Sequence, residues 1–552
     1  MIKLPTMALL GAAALTLSAV GARADVLCMR DGRIFDHVPL IQGEDTVSIE
    51  FEHGTITVPR DQVLECIFED NSKYVPATEE EKSRFEKGQV RFDGRWVSIK
   101  KRDKLVAERV SQRRAEIEAI KDLRKWGKRH KEETKNFRFE STVPPSVFEN
   151  YRDLFEQYYE EFAKTWKIRR PRDVEKLLVK FYVDRDAFLQ VTGMPGGVLG
   201  FFRFIEPYEL NIFYDRINPG QTEEVIYHEL GHYLQKLIDV DFKYPHWPGE
   251  SLSEFYAASI WDPVEKTLDW GGLHDGRIVH IQSGIEKDEW VSLKDQILGC
   301  QDRNFSDYSW GWSFVHFLMS DSKRAKNFKK FFLGLASARD IGRRPMQVGA
   351  KTRLMTVMGP DMLESFMKYM KIKNEDELMA MEKEWYDYIN ENMNISTARG
   401  FERAAGHARR FDRKLRAKRL YEQAIATGDA SSLTYHLYAD LLLRSKDKKA
   451  AHENWRKAIE IDPLVSTYYI AYGTSLIDDD EQWEEGERLL HLANEIDPDN
   501  FYLERNLEAI LRRAAKKRAR KAESEEEDEE EDEEAEGEGA AEEGASERAE
   551  AP

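Results

Sequence analysis

The segment His228-Glu229-Leu230-Gly231-His232 limits how this chain can fold more than any other part of it. On a helix, the two histidines lie one turn apart on the same face, and Glu229 lies beside them. Both imidazoles can then reach one metal ion, which needs at least one more protein ligand. The sequence therefore predicts a metal-bearing helix and a second element that supplies another ligand.

The flanks of this segment favour a helix. Apolar residues recur along one helical face at Ile226, Leu230, Tyr233, Leu234 and Leu237. This periodicity predicts an amphipathic helix over Glu223–Leu237 with one buried side. Thr222 is placed to cap its N-terminus, and Asn218-Pro219-Gly220 is typical of the turn before a helix. We therefore expect the two histidines to lie on a packed element rather than on a loop.

A third ligand is expected from the segment that follows. After a loop predicted at Pro245–Gly249, a second helix starting at Glu250 would present Glu250 and Glu254 on one face, because they are four residues apart. We predict that Glu250 binds the metal and that Glu254 accepts a hydrogen bond from a ligand histidine. Three other residues are rival third ligands: His246, Asp239 and Asp241.

The residues around Glu250 resemble a known group of metallopeptidases. HELGH followed by Glu250 in the run WPGESLSEFY is similar to the gluzincins, the thermolysin-like and aminopeptidase-N-like enzymes with a later Glu-bearing helix. Four residues take the matching places of the pattern WLxEGxAxY: Trp247, Glu250, Ser253 and Phe255. Ser251 departs from the usual glycine of that pattern.

This resemblance implies a zincin-like domain, built from a mixed sheet and helices, that acts on a peptide or protein substrate. It implies that three residues bind Zn²⁺: His228, His232 and Glu250. Glu229 would act as general base and then general acid in peptide-bond hydrolysis. The metzincins are excluded, because they have a glycine and a third histidine shortly after HExxH, where this chain has Gln235 and Ile238.

Tyr308 opens the run YSWGWSFVHFL, which is similar to the helix that carries the transition-state tyrosine in aminopeptidase-like gluzincins. The resemblance implies that its phenol donates a hydrogen bond to the developing oxyanion. The same run also makes an ordinary core stripe at helical spacing, comprising Tyr308, Trp312, Val315 and Leu318 or Met319. Both interpretations of Tyr308 remain open.

Residues 401–511 contain a repeat of about 34 residues. One unit has its packing positions at Tyr435, Ala439, Leu442, Ala451, Trp455, Ala458 and Pro463. The next unit, with one residue inserted, has them at Tyr469, Gly473, Leu476, Gly486, Leu490, Ala493 and Pro498. The second helix of an earlier unit is indicated by Ala417, Tyr421 and Ala424. These units resemble tetratricopeptide repeats, which implies a helical solenoid that docks a protein partner or else caps the neighbouring domain.

The remaining segments complete a multidomain α+β architecture. Residues 25–100 are predicted to form a small N-terminal β module, with hairpin turns at His53-Gly54 and Asp93-Gly94. Residues 101–137 are highly charged with a sparse apolar stripe, which predicts a helical linker. The zincin-like domain then spans 138–400 and precedes the all-α tetratricopeptide solenoid. Its strands are expected at Leu177–Val183, Val198–Phe204 and Glu209–Tyr214.

Two features leave alternatives open. Gly196–Gly200 is either an edge strand on which an extended peptide docks by main-chain hydrogen bonds, or a glycine turn leading into a core strand. Cys28 and Cys66 fall on the first and last strands of one predicted β module, so in an oxidising compartment they could pair and leave Cys300 single. Equally, all three are small buried apolar residues.

The two ends of the chain bear on where it acts. Residues 1–24 are typical of a secretory signal, with an apolar run and Ala22-Arg23-Ala24 as the cleavage site, so we expect a periplasmic or extracellular protein. Residues 512–552 form a basic and then acidic tail that is expected to be disordered, and its acidic part, residues 523–552, carries a net charge of −16 out of the −19 of the whole chain. The basic stretch lacks interleaved aromatic residues, so no nucleic-acid partner is predicted. No other segment approaches the 18 or so apolar residues of a membrane span.

Two functions follow from these patterns. The first is an exported zinc metallopeptidase, favoured as an endopeptidase because no GxMEN-type motif for gripping a free amino terminus is present. The second is a non-catalytic scaffold in which the repeats bind a partner and the metal site is silent. Glu229 favours the first, because a purely structural site has no need of a carboxylate beside two histidine ligands.

Overall fold

The computed structural model describes residues 25–68, 76, 78–123, 125–299, 305–337, 341–348, 352–477, 479, 481–498, 500, 502–503 and 505–519. The predicted secretory signal, Cys300 and the acidic part of the tail lie outside these residues. The chain forms two compact units. The first contains the chain up to Phe51 together with Thr55–Ala119, and the second contains Glu52–Gly54 together with the chain from Ile120 onward.

The first unit is mainly β-structure. Its strands are β1 Val26–Met29, β2 Ile34–Asp36, β3 Leu40–Gln42, β4 Thr46–Phe51, β5 Gly54–Pro59, β6 Val63–Ile67, β7 Gln89–Phe92 and β8 Arg95–Ser98. They form two three-stranded sheets, β2-β1-β6 and β3-β4-β5, and the hairpin β7-β8. Both predicted hairpins are present. Asp93 and Gly94 have φ values of 48° and 73°, which a type I′ hairpin turn requires and which Asp-Gly adopts readily.

Two helices belong to this region, α1 Glu79–Glu86 and α2 Ile99–Leu123. The sequence predicted α2 as a spacer, but Val106 and Val110 are buried in one cluster with Val26, Cys28 and Ile67. The first turns of α2 therefore pack on the β module, because even a sparse apolar stripe is buried when a sheet face is beside it.

Cys28 and Cys66 are both thiols, so the disulfide that the sequence left open does not form. They lie on neighbouring strands, but Cys66 is opposite Leu27, and Cys28 is opposite Glu65. Successive side chains of a strand point to opposite faces of the sheet. The two sulfur atoms are therefore directed to different faces.

The second unit is built on a mixed five-stranded sheet. Its strands are β9 His130–Glu133, β10 Phe137–Ser141, β11 Leu177–Tyr182, β12 Gly200–Arg203 and β13 Glu209–Phe213. The order is β12-β13-β11-β10-β9, with β10, β11 and β13 parallel and the outer strands antiparallel to their neighbours. All three predicted strands are present. The sheet begins at His130, inside the segment predicted as linker.

In the described part of the chain, ten helices lie between or after the strands of this sheet, before the C-terminal region. They are α3 Pro145–Trp166, α4 Arg185–Thr192, α5 Pro219–Lys236, α6 His246–Ala257, α7 Asp275–Ile285, α8 Leu293–Leu298, α9 Phe305–Ser320, α10 Ser322–Ser337, α11 Gly359–Met370 and α12 Glu375–Asn392. Two hairpins interrupt them, β14 Ile260–Asp262 with β15 Thr267–Asp269, and β16 Arg343–Val348 with β17 Thr352–Val357. One aromatic-rich core joins the sheet to α3, α5, α6 and α9.

Both helices of the predicted site start earlier than expected. Helix α5 begins at Pro219 with Asn218 at its N-cap position, so Thr222 lies inside the first turn and is not the cap. Helix α6 begins at His246, within the predicted loop. Proline suits the first turn of a helix, because the backbone N–H groups there have no intrahelical partner. Pro219 and Pro248, which are also typical of loops, therefore lie in the first turns of α5 and α6.

The C-terminal region of the second unit is entirely helical in the part that the structure describes. Its helices are α13 Ala398–Arg410, α14 Lys414–Ala426, α15 Ser432–Arg444, α16 Lys448–Ile461, α17 Ser466–Leu476 and α18 Trp483–Ile496. They pack as three consecutive pairs. Residues 505–519 are helical as well, so the prediction of a disordered tail from residue 512 is wrong for its first eight residues. Gly473 and Gly486 meet between α17 and α18, where a Cβ on Gly473 would lie 2.8 Å from the carbonyl oxygen of Gly486. None of the described helices is both long and apolar enough to cross a membrane.

Candidate metal centre

Helices α5 and α6 bring together His228, His232 and Glu250. The two Nε2 atoms lie 3.2 Å apart. Glu250 Oε2 lies 3.4 Å from Nε2 of His228 and 3.2 Å from Nε2 of His232. Three donor atoms on two adjacent helices thus form a nearly equilateral triangle.

This triangle fits one tetrahedral zinc ion. Zinc bonds to imidazole nitrogen and carboxylate oxygen are about 2.0–2.2 Å long, which places two ligand atoms of a tetrahedron about 3.3–3.6 Å apart. The three measured separations are within or close to this range. Two neutral imidazoles and one carboxylate also make a donor set that zinc favours and that leaves the fourth position for water.

The rival third ligands lie elsewhere. Asp239 faces Arg343, whose Nη1 is 3.7 Å from its Oδ2. Asp241 follows the end of α5 and donates its backbone N–H to Asp239. His246 is exposed at the start of α6, and its ring centroid lies 5.2 Å from that of Tyr308. Among the described residues, the ligand-bearing group at this place contains Glu250 and none of these three.

Glu254 orients the first histidine. Its Oε1 lies 3.1 Å from Nδ1 of His228, as the spacing predicted. Arg277 of α7 binds the same carboxylate through two nitrogens, Nε at 2.6 Å and Nη2 at 2.5 Å. Burial acts to raise the pKa of Glu254, but the charge of Arg277 and the contacts of His228 outweigh it and lower the pKa well below its usual range. Glu254 is therefore a carboxylate that fixes the proton of His228 on Nδ1.

The second histidine is oriented by a serine that the sequence did not single out for this role. Nδ1 of His232 lies 3.3 Å from Oγ of Ser253. Gln235 donates to the same Oγ at 2.9 Å and to the carbonyl oxygen of Gly249 at 3.0 Å. With His232 donating from Nδ1, its Nε2 lone pair is available for a metal.

Glu229 lies next to the triangle and is held by the sheet. Its Oε2 accepts a hydrogen bond from the backbone N–H of Phe202 on β12 at 2.9 Å. Burial raises the pKa of Glu229 above its usual value, although His228 and His232 act in the opposite direction. A carboxyl with a raised pKa is a stronger base, as proton transfer near neutral pH requires.

The edge strand β12 approaches α5 closely. A Cβ on Gly200 would lie only 2.5 Å from Cγ1 of Val225, so this position accepts a glycine alone without rearrangement. Strand β12 is paired on one side with β13, and the N–H of Phe202 is directed to the other side, towards Glu229. Of the two interpretations of Gly196–Gly200, the glycine turn holds for Gly196 and Gly197, and the strand that begins at Gly200 lies at the edge of the sheet rather than in its core.

Tyr308 lies beside the same centre. The centroid of the Tyr308 ring is 6.5 Å from that of His228. The guanidinium carbon of Arg277 lies 5.3 Å from the centroid of the Tyr308 ring. The other members of the predicted stripe, Trp312, Val315 and Leu318, are fully buried, whereas Tyr308 is only partly buried. Burial, followed by the negative charges of Glu250 and Glu254, raises the pKa of Tyr308 to about 12. Tyr308 is thus a protonated hydroxyl at the rim of the site.

No family model and no curated protein matches this chain.

Proposed function

We propose that this chain is an exported zinc-dependent peptidase that hydrolyses internal peptide bonds of a peptide or protein substrate. The observation that carries the proposal is the triangle of Nε2 of His228, Nε2 of His232 and Oε2 of Glu250, with separations of 3.2–3.4 Å. These three residues would hold Zn²⁺. A zinc ion held there would lower the pKa of a bound water to about 7 and polarise a substrate carbonyl.

Glu229 is the proton carrier in this proposal. Its Oε2 is engaged by the N–H of Phe202, which leaves Oε1 to take a proton from the attacking water. The same atom then gives the proton to the leaving amine. The backbone donor keeps the carboxylate in place through both transfers, so Glu229 does not need to reorient between its two roles.

Two further groups would act on the substrate. The hydroxyl of Tyr308, which its raised pKa keeps protonated, would donate a hydrogen bond to the oxyanion that develops on the attacked carbonyl. Strand β12, at the edge of the five-stranded sheet, would receive the substrate as an extended strand through its outward main-chain groups other than the Phe202 N–H, which Glu229 occupies. Both would position the peptide without taking part in proton transfer.

The architecture supports the same proposal. A mixed sheet with an antiparallel edge strand beside the HExxH helix is consistent with a zincin-like domain. The three C-terminal helix pairs are consistent with tetratricopeptide repeats. In this proposal the chain is also exported by its N-terminal signal and binds a protein partner on the repeats. A scaffold with a silent metal site is the alternative, and the hydrogen bond that holds Glu229 beside the triangle favours hydrolysis over it.

Two variants test the proposal. We expect Glu229→Gln to lower kcat/KM about 10²- to 10⁴-fold while zinc remains bound, because the variant loses only proton transfer. His232→Ala should lose both activity and zinc. Activity is measured on a mixture of internally cleavable peptides, and bound zinc by elemental analysis of the same samples. A Glu229→Gln protein that cleaves peptides at the wild-type rate would contradict the proposed mechanism.

A further inference from the structure

A cavity of about 500 Å³ opens beside the metal centre. His232 and Glu250 line it together with Phe204, Phe242, Lys236 and Lys243. Lys236 follows His232 by four residues on α5, so the two side chains lie on the same helical face, about 6 Å apart along the axis. A substrate bound at the metal therefore has this cavity immediately next to it.

Lys236 is a cation buried in the wall of this cavity. The residue is only 2% exposed. Its Nζ has one long contact, 3.4 Å to the carbonyl oxygen of Phe242. Burial lowers the pKa of Lys236 to about 8, although Asp241, Asp239 and Glu206 act to raise it. None of these three carboxylates approaches within 4.0 Å of Nζ, so within the described chain Lys236 has no ion-pair partner.

Lys243 adds a second positive charge to the same cavity. Its Nζ lies 5.4 Å from the ring centroid of Phe204, over the aromatic face. It is near enough to Lys236 that its charge helps to lower the pKa of that residue. Two ammonium groups that line one partly apolar cavity repel each other, and an anion bound between them would relieve that repulsion. The cavity is therefore complementary to a negatively charged group.

We propose that this cavity binds a carboxylate of the substrate through Lys236 and Lys243, so that the enzyme prefers peptides with a carboxylate near the scissile bond. The proposal rests on the peptidase function proposed above and specifies its substrate class. A carboxylate of a substrate has two sources, an aspartate or glutamate side chain and the free C-terminus. Both present the same chemistry to the two lysines, so the experiment must separate them.

Paired peptides separate these sources. One series carries Glu or Gln at successive positions and has an amidated C-terminus, and the other ends in a free carboxylate or an amide. With the zinc-loaded full chain, we expect kcat/KM for the charged member to exceed that for its neutral partner by about 10- to 100-fold in one series, as hydrogen bonds to charged groups permit. Wild-type enzyme that cleaves both members of every pair at equal rates would overturn the proposal.

Variants of the two lysines test whether Lys236 and Lys243 cause the preference for the charged peptide. Lys236→Met keeps the length of the side chain and should reduce the preference for the charged peptide at least tenfold, whereas Lys236→Arg should retain most of it. Lys164→Met is the matched control, because the Lys164 side chain is 79% exposed on α3 and should leave the preference unchanged. If Lys236→Met does not fold, Lys243→Met carries the same test. A preference that survives both variants would overturn the proposal.

Binding distinguishes this proposal from failure of the proposed function. If wild-type enzyme cleaves none of the peptides, the peptidase function is wrong, and the same pairs are then titrated calorimetrically into the zinc-loaded Glu229→Gln protein. The carboxylate site is supported if the Glu229→Gln protein binds the charged peptides more tightly than the neutral ones and loses this difference when Lys236→Met is added. Equal binding of charged and neutral members overturns it.

Discussion

Three residues of the candidate metal centre are each oriented through one polar atom, and the proposed function uses the other. His228 contacts Glu254 through Nδ1, and His232 contacts Ser253 through Nδ1, so both Nε2 atoms are directed to the same point. Glu229 accepts the Phe202 N–H on Oε2 and keeps Oε1 for a proton. Preorganisation of this kind reduces the reorganisation that catalysis would otherwise need.

The sequence predicted the site residues that belong to a spacing motif, but it did not predict the groups that orient them from other parts of the chain. The i, i+4 spacing of His228 and His232, and of Glu250 and Glu254, is sufficient to place each pair on one helical face. The backbone of Phe202 carries no signal of side-chain identity, and Arg277 arrives from a separate helix. Such contacts depend on how distant segments pack, which helical periodicity does not encode.

Tyr308→Phe tests a residue for which the sequence left a catalytic and a packing interpretation open. Loss of an oxyanion donor should lower kcat about 10²- to 10³-fold and change KM little, because the hydrogen bond forms mainly in the transition state. Steady-state kinetics on one cleavable peptide give both values. If Tyr308 served only as a packing residue, kcat would remain within about twofold of the wild type.

At the scale of elements, the site depends on how closely three helices approach one another. A Cβ on Gly231 of α5 would lie 3.0 Å from Oγ of Ser253 on α6. A Cβ on Gly311 of α9 would lie only 2.1 Å from Oγ of Ser251 on α6. Ser251 is the residue that departs from the gluzincin pattern, and Gly311 provides the space for its hydroxyl. The helices therefore remain close despite the larger side chain.

The double substitution Gly311→Ala with Ser251→Gly tests this packing. Gly311→Ala alone should lower the free energy of unfolding by about 1–3 kcal/mol, because overpacking forces backbone shifts. Ser251→Gly should restore most of that loss, since the Ser251 hydroxyl has no hydrogen-bond partner among the described residues. Urea unfolding of both single variants and the double variant gives the coupling energy. Additive effects would mean that Gly311 and Ser251 do not share this contact.

The starts of the site helices show where sequence reasoning is weakest at this scale. The periodic apolar residues of α5 predict its existence and its buried face, but they predict a start at Glu223, four residues after the observed start at Pro219. Pro219 and Pro248 each indicate either a turn or a first helical turn, and local sequence does not separate these. Burial of Trp247 in the core, a tertiary effect, accompanies the helical start of α6 at His246.

At the scale of the whole molecule, the C-terminal helices are anchored within the second unit to α5, the helix that carries His228 and His232. Arg399 and Arg403 of α13 both donate to Glu224 of α5, at 2.6 Å and 2.7 Å. Burial acts to raise the pKa of Glu224, but Arg403, His274 and Arg399 outweigh it and lower the pKa. The repeat pattern predicted the helix pairs, but not this ion pair, because Arg403 and Glu224 are far apart in sequence.

Two ion pairs between the same regions provide a matched comparison. Arg403→Met should lower the free energy of unfolding by about 1–3 kcal/mol, because it leaves a partly buried carboxylate with one fewer partner. Arg416→Met removes a pair with Glu286 in which both side chains are more than 40% exposed, so its effect should be below about 1 kcal/mol. Thermal and urea unfolding of the two variants measures the difference. If both variants lowered the free energy of unfolding by the same amount, the contact between Arg403 and Glu224 would not anchor α13.

The most direct test of this account is the metal content of the purified chain, measured by elemental analysis on wild type, His228→Ala and Glu250→Gln. We predict about one zinc per wild-type chain and little zinc in either variant, since each removes one of three protein ligands. Zinc that is absent from the wild type even after it is supplied would contradict the metal centre. Undiminished zinc in both variants would show that the metal binds elsewhere.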